Sequence, residues 1–533
     1  MLSLRAVRRL LLLALLAAAP TVVAQDAPGP PLRLTVEDAA EIAAARAYAV
    51  RLAGQDVETA RAQVREAYGS LYPRVDATSQ YTRNVVQANP FAGSSAGDIF
   101  GGLGAIGWLQ YNESARTDDD PATQPISFEE YLRRTDAGYS AIGYTPEAGA
   151  NPFGTDNQFV NALSISQPLY SGVAFAAVRG ARSLVAIQEA AQVQREQEAV
   201  HAARTAFYSA LLADEAAAVQ RASAARASDT ERDVARVVAA GVRPLLDRLN
   251  AEVDAANATA GIATAEARAA TARDQLLLAL GLPAGTPVEL VGRLDAADPA
   301  LARPLADAVA VDLRPDVQQA QLAVRLGEVQ RDITRAARLP SLSAFANLSF
   351  NGSVPDNRSF VSFTGREVID PATGEPYFEA ETGSNGFFSD AYWQPAVSVG
   401  LSLTWNLFDG FQTRARVQQN TAAIEQARIR LEQARAGATV EIAAARRDLD
   451  AAVRALTVQR RTVETAETAY EFATARLAEG VATQADVRLA SQNLDLARLN
   501  LLQSVFDALV ARSAYERATG VLPAAVPTTA VAP

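Results

Sequence analysis

The chain has 533 residues, with 49 arginines, no lysine, 60 acidic side chains, one histidine and no cysteine, and its formal net charge is −11. Without thiols there are no disulfide staples, no thiolate metal sites and no lipid anchor on an N-terminal cysteine. The acidic balance disfavours nucleic acid and anionic surfaces, and the residue set offers no nucleophile–base pair, so neither an enzyme nor a cofactor nor a metal centre is expected.

Residues 1–24 read as a signal peptide: Arg5, Arg8 and Arg9 form the charged region, Leu10 to Ala19 the apolar core, and Val22-Val23-Ala24 the cleavage site before Gln25. That core is too short to span a bilayer, and no later segment offers roughly 18 uninterrupted apolar residues. Residues 25–33, with Pro28, Pro30 and Pro31, read as an extended linker. A helix is expected from the capping Thr35 to about Tyr72, where Pro73 stops it. Next comes a strand in which Val75, Ala77, Ser79 and Tyr81 alternate with polar residues, then an exposed loop over about 83–156, rich in Gly, Asn, Asp and Pro. A second strand around Leu163 and Ile165 ends at Gln167-Pro168. From Val173 to Ala240 only Gly180 interrupts helical periodicity, which makes a rod roughly 100 Å long. Gly241 and Pro244 turn the chain into a further helix ending at Gly281-Leu282-Pro283.

A mixed connector, 284–313, precedes a second pass through the same plan. A helix from Arg314 to Arg338 leads to a strand over Leu342–Phe350 and a Gly-rich loop to Trp393. The clearest strand follows, with Val397, Val399, Leu401, Leu403 and Trp405 alternating with polar or small residues. A long helix from Phe411 to Glu479, a turn at Gly480 and a last helix to Thr519 complete the plan. The chain thus divides into a first repeat, 34–283, and a second, 314–523, followed by a tail at 524–533.

The duplication is visible at fixed offset. Gln167-Pro168-Leu169-Tyr170-Ser171-Gly172 returns as Trp405-Asn406-Leu407-Phe408-Asp409-Gly410, and Gly241-Val242 with Asp247 returns as Gly480-Val481 with Asp486. In the second long helix, Val417, Ile424, Leu431, Ala438, Ala445 and Ala452 stand seven apart. So do Ile442, Leu449, Leu456, Val463, Tyr470 and Leu477. These are the a and d positions of a left-handed coiled coil. A filamentous dimer accounts for the heptads but not for the strands or the reversals. Four strands with alternating faces suit a membrane barrel, yet one chain is too small to close one, and open edges in lipid are prohibitive. The sequence therefore requires an oligomer that pools strands.

The chain resembles the TolC-like outer-membrane efflux proteins. The likeness is carried by Leu34-Thr35-Val36-Glu37-Asp38-Ala39, Gln167-Pro168-Leu169-Tyr170-Ser171-Gly172, Arg314-Pro315-Asp316-Val317, Asn406-Leu407-Phe408-Asp409-Gly410 and Arg476-Leu477-Ala478-Glu479-Gly480 with Asp486. The resemblance implies a mostly α chain with a membrane β-barrel, whose homotrimer joins a 12-stranded β-barrel to a 12-helix α-barrel. It implies a place in the bacterial outer membrane, in contact with its lipid, with a long periplasmic extension. It also implies an exit duct for small molecules that works with a periplasmic adaptor and an inner-membrane pump driven by protons or ATP. A duct for type I protein secretion is the alternative within the fold, and a non-conducting periplasmic rod or adhesin the alternative outside it.

On that reading the turns at Gly241, Val242, Arg243 and at Gly480, Val481, Ala482 dock the adaptor; otherwise they are bare turns. Asp486, with Asp247 at the matching place after Gly241, would face the lumen as an acidic ring at the periplasmic aperture, where clustered carboxylates raise one another's pKa. The alternative is an Asp that offsets the helix dipole. Leu489 stands one turn on, where a second acidic ring occurs in the family. Leu477 and Ala482 replace the Tyr and Arg that latch some closed members, and Arg243 is a candidate substitute. His201 is expected to lie on a helix surface or to hydrogen-bond between helices rather than to act in catalysis or bind a metal, and Asp118-Asp119-Asp120 to lie in a solvated loop rather than hold calcium.

Overall fold

The computed structural model describes residues 31–86, 96–118, 123–145, 155–295, 301 and 310–520. The signal peptide, most of the linker, Asp119, Asp120 and the tail lie outside them. Two compact units emerge, and each draws on both sequence repeats: one takes the chain to Ala67, Phe175–Ala336 and Asp409 onward, the other Tyr68–Ala174 and Ala337–Phe408.

The helical unit opens with strand β1 (Leu32–Leu34) and helix α1 (Val36–Arg46). Thr35 caps α1 through a reciprocal pair: its hydroxyl accepts from the Asp38 amide at 3.1 Å, and Asp38 accepts from the Thr35 amide at 3.0 Å. The expected single helix is broken at Ala47, whose ψ of 138° leaves the helical region before α2 (Tyr48–Gly69) resumes. Nothing in local propensity asks for this break. Gly281, the left-handed cap of a later helix, sits against the Arg46 carbonyl, which would lie 2.4 Å from any Cβ at that position. Tertiary packing has overridden a helix-forming sequence.

Helix α5 (Gly172–Ala239, 68 residues) and α6 (Leu245–Leu280) form one hairpin, which surrounds no glycine but Gly180 and Gly261 in its interior. Gly180 lets the helix that follows the connector approach: Val329 and Ile333 would stand 3.4 and 3.6 Å from its Cβ. The connector itself adds strand β4 (Val288–Leu290), which pairs in parallel with β1. The presumed linker and connector are thus stitched together at Leu32–Leu34. After a 3-10 turn at Val311–Leu313 come α7 (Pro315–Ala336), α8 (Gln412–Ala478, 67 residues) and α9 (Gln484–Thr519). α8 packs on α7 and α9. All twelve heptad positions of α8 are buried or half-buried, with Ile424, Ala438, Leu449 and Leu456 fully so. The centre of the core is rich in small residues: Ala39, Ala43, Ala203, Ala210 and Ala508 pack among Phe207, Leu276, Leu280, Val505 and Leu509. Alanine at the contacts brings helices close and leaves dispersion contacts, not bulk, to hold them.

In the second unit, β2 (Arg74–Arg83), β3 (Asn157–Tyr170), β5 (Ser341–Val354) and β8 (Trp393–Thr404) form one antiparallel sheet in the order β2-β3-β5-β8. Register aligns the faces across all four strands. Ala77, Leu163, Leu348 and Val397 make one row, and Val75, Ile165, Ala346 and Val399 the next, while Asp76, Ser164, Asn347 and Ser398 make a row on the opposite face. Val397, Val399, Leu401 and Leu403 are each at least 66% exposed. Residues so apolar and so open in a protomer are what a lipid-facing strand requires. At one end of the sheet, Trp393 stacks on Phe159 and Phe350 and touches Phe387 and Phe388. This aromatic belt fits a membrane interface.

The loops expected at that end are not loops. The segment after β2 contains α3 (Ala96–Thr117) and α4 (Phe128–Ala141), and the segment after β5 contains a hairpin of β6 (Ser359–Ile369) and β7 (Pro376–Ser384). With β1 and β4 this brings the described strands to more than the four anticipated, although four make the main sheet. Together these pieces form a cap. Tyr111 and Tyr131 flank Phe378, Trp108 meets Phe128 edge-on, and buried Asn112 clasps both backbone groups of Ile126 at 2.9 Å. Gly138 presses α4 against β7, since a Cβ there would lie 2.2 Å from the Phe378 carbonyl. Arg133 and Arg134 bind Glu130 and reach Glu375 and Glu367 of the hairpin, holding the Glu130 carboxyl down at about 2. Turn-forming composition hid this core because its polar residues are paired with one another.

Candidate functional site

The two helix reversals of the helical unit share one backbone design. In the first, the Gly241 amide donates to the Val238 carbonyl at 2.9 Å and Val242 to Val237 at 3.2 Å; in the second, Gly480 donates to Leu477 at 3.1 Å and Val481 to Arg476 at 2.9 Å. Gly241 and Gly480 have φ of 77° and 74° with open space where a Cβ would be, so conformation, not crowding, selects glycine at both. The turns differ at the next helix start. Thr483 caps α9 in a full capping box with Asp486, whereas Pro244 precedes α6 with no side-chain cap.

That difference decides what Asp486 does in the protomer. Its carboxylate accepts from the Thr483 amide at 2.8 Å and from the Thr483 hydroxyl at 2.7 Å. The backbone and side-chain bonds from Thr483 hold its pKa below the ordinary 3.8. The group is a helix cap first, and any upward shift from neighbouring copies would act against these bonds. Asp486 and Leu489 are both exposed on α9, whereas Asp247 is half-buried and faces the groove between the hairpins. The duplicated aspartates therefore occupy different surroundings.

Val242 and Val481 project from the turns, 75% and 63% exposed. Ala482 and Arg243 are half-buried. Arg243 crosses to α9, its Nη1 reaching Gln484 Oε1 at 3.5 Å, and Leu477 stays within the heptad seam. Above the turns a polar groove of about 440 Å³ separates the α5–α6 hairpin from α9, with Asp247, Asp254, Tyr470 and Arg488 in its walls. Two ion pairs span it: Arg226 with Asp495, both largely buried, and Arg488 Nη1 with Asp254 at 3.3 Å. Sequence reasoning missed these four residues. Their partners lie more than two hundred positions apart and outside the duplicated landmarks, so no periodicity marks them.

His201 lies between helices, its Nδ1 3.0 Å from the Ser513 hydroxyl. Burial pushes its imidazole pKa down from 6.5, and Arg517 and Arg204 push in the same direction. Because the folded value is the lower one, the neutral ring favours the folded state, and stability is lost as pH falls below 6.5. The midpoint of urea unfolding followed by helical circular dichroism should therefore carry a component that falls below that pH. The component should vanish in His201→Gln, which keeps a polar side chain without the titration.

Long paired helical hairpins and a four-stranded sheet with one continuous apolar face, in one chain, define the class of channel proteins that join membrane strands to coiled coils. The family model described as outer membrane efflux protein matches residues 138–282 and 309–521. The chain belongs to that family. No curated protein matches it. Among solved structures, the Campylobacter jejuni CmeC outer membrane channel is similar at 14% identity and a TM-score of 0.62, over 91% of this chain and 85% of that one. CusC, described as forming a transmembrane channel, is similar at 16% identity and a TM-score of 0.63, over 93% and 95%. The outer membrane protein VceC from Vibrio cholerae is similar at 16% identity and a TM-score of 0.58, over 91% and 96%. At these identities the likeness shows a shared fold. The family places the chain in the outer membrane as a channel and not as an enzyme. No described helix is long and apolar enough to cross a membrane.

Proposed function

We propose that the chain is the outer-membrane exit duct of a tripartite efflux assembly, conducting small toxic molecules passively once an inner-membrane pump and a periplasmic adaptor engage it. The observation that carries this reading is the four-stranded sheet, apolar on one face and paired on only one side of β2 and of β8. Such edges need partners in lipid, and three copies supply twelve strands, enough to close a barrel. The α5–α6 and α8–α9 hairpins of three copies would supply the matching twelve-helix conduit, with α2 and α7 as the shorter partners. Three Asp486 carboxylates and three Leu489 side chains would then ring the periplasmic aperture, and the Gly241–Arg243 and Gly480–Ala482 turns would dock the adaptor through exposed Val242 and Val481.

The test places a charge on those valines in cells that depend on the chain for resistance to toxic compounds. Val242→Asp with Val481→Asp should return susceptibility to that of cells lacking the chain. Native mass and bilayer conductance of the purified protein should be unchanged, because neither side chain is packed. Full resistance in the double variant would remove the docking assignment. Loss of polypeptide export with unaltered susceptibility would assign the duct to protein secretion instead.

A further inference from the structure

The cap formed by α3, α4 and the β6–β7 hairpin leaves apolar side chains uncovered. On α3, Trp108, Tyr111 and Asn112 turn inward, whereas Ile106 and Leu109 are 59% and 58% exposed. In the segment that leads into β8, Phe388 is 76% exposed. These residues are not loosely held. Arg83 at the end of β2 forms a two-point pair with Asp356, with both contacts at 2.6 Å, and Asn157 adds a bond to Asp356 at 2.9 Å, so the two connections are clamped together where they leave the sheet.

Chain order says what covers them. α3 continues from β2, one open edge of the sheet, and Phe388 leads into β8, the other open edge. Pairing β2 of one copy with β8 of the next therefore carries α3 toward the neighbour's segment before β8. We infer that the exposed α3 face docks on a second copy of this chain, against the Phe387–Phe388 segment, so that three caps close into a continuous collar around the outer mouth of the barrel. The inference rests on the pooled-strand reading above. It adds a contact outside the membrane that the barrel alone does not require. Each junction would bury apolar surface on both sides and remove it from water. The collar would also fix the width of the exit independently of the periplasmic aperture.

The chain's lack of cysteine makes the test direct. Single variants Ile106→Cys and Phe388→Cys, with Ala372→Cys in the exposed β6–β7 turn as a control off the α3 face, are labelled with a membrane-impermeant maleimide in nanodiscs and in detergent. Native mass is measured first. In the intact trimer, Ile106→Cys and Phe388→Cys should react several-fold more slowly than in the dissociated chain, while Ala372→Cys reacts equally in both states. Oxidation of the Ile106→Cys, Phe388→Cys double variant should link copies covalently. Rapid labelling of both sites in an intact trimer would overturn the collar while leaving the barrel reading in place. Protection in lipopolysaccharide-containing nanodiscs that is lost in a detergent-solubilised trimer would assign the cover to lipid and also overturn it. A chain that remains monomeric would remove the pooled-strand reading and the collar with it.

Discussion

Arg314→Met should lower the stability of the protein by about 3 kcal/mol, near the lower end of the cost of breaking a buried ion pair from one side. The Arg314 side chain is only 10% exposed. It donates to Asp316 Oδ1 and Oδ2 at 3.0 and 2.8 Å, to Glu441 Oε2 at 2.6 Å and to the Ala518 carbonyl at 2.6 Å. It therefore joins the start of α7, the middle of α8 and the end of α9. Methionine restores the volume but leaves two carboxylates and a carbonyl without their donor. Arg517, at 2.8 Å from Glu441 Oε1, retains one partner for Glu441, which keeps the expected loss at the low end. The pH dependence adds a signature. Burial works against the Asp316 charge, but the Arg314 hydrogen bonds and charge prevail and hold its pKa below 3.8. The folded value is the depressed one, so this stabilisation is present above pH 3.8 and is lost as pH falls through the folded value. Urea unfolding followed by helical circular dichroism measures both effects. Equal midpoints for wild type and variant at neutral pH would show that the cluster holds nothing together.

Leu489→Ala should raise resting conductance several-fold. Under the trimer reading, three exposed Leu489 side chains narrow the aperture one helical turn beyond three Asp486 carboxylates. A constriction lined by leucine resists wetting, so it blocks ions even where a water-filled path of the same width would pass them. Truncation widens the ring and lowers the barrier to water without touching the Thr483–Asp486 capping box, so α9 should start as before. Planar-bilayer recording of the variant beside wild type reads the effect. Unchanged resting conductance would move the shut point away from Leu489, toward the groove where Arg226–Asp495 and Arg488–Asp254 tie the hairpins.

The parts of this protein that were legible in its sequence are those written by repetition. Heptads placed the twelve seam residues of α8 from Val417 to Leu477 named above at buried or half-buried positions, and alternation placed Val397 to Leu403 on one face of β8. Glycine at matched positions marked both reversals, because positive φ leaves little choice of residue. Interactions between distant segments were not legible. The break at Ala47 lies where Gly281, from a distant helix end, packs on the Arg46 carbonyl, and the groove-spanning ion pairs join residues without a shared pattern. The cap was hidden for a related reason. α3 contains several glycines and α4 is strongly polar, so composition pointed to loops, whereas Tyr111, Tyr131 and Phe378 build a core only after β6 and β7 arrive from the other half of the chain. Asp486 shows the same limit at a single residue. Its spacing from Gly480 marked it, but only the capping box revealed that Thr483 already engages its carboxylate.

The central claim, that pooled strands and hairpins make a conducting duct with its narrow point at the Asp486 ring, is tested most directly by planar-bilayer recording of the purified wild-type protein beside Asp486→Ala. The account predicts small, cation-preferring conductance steps in the wild type and weaker cation preference in the variant. Absence of any conductance in both, from protein of trimeric mass, would contradict it.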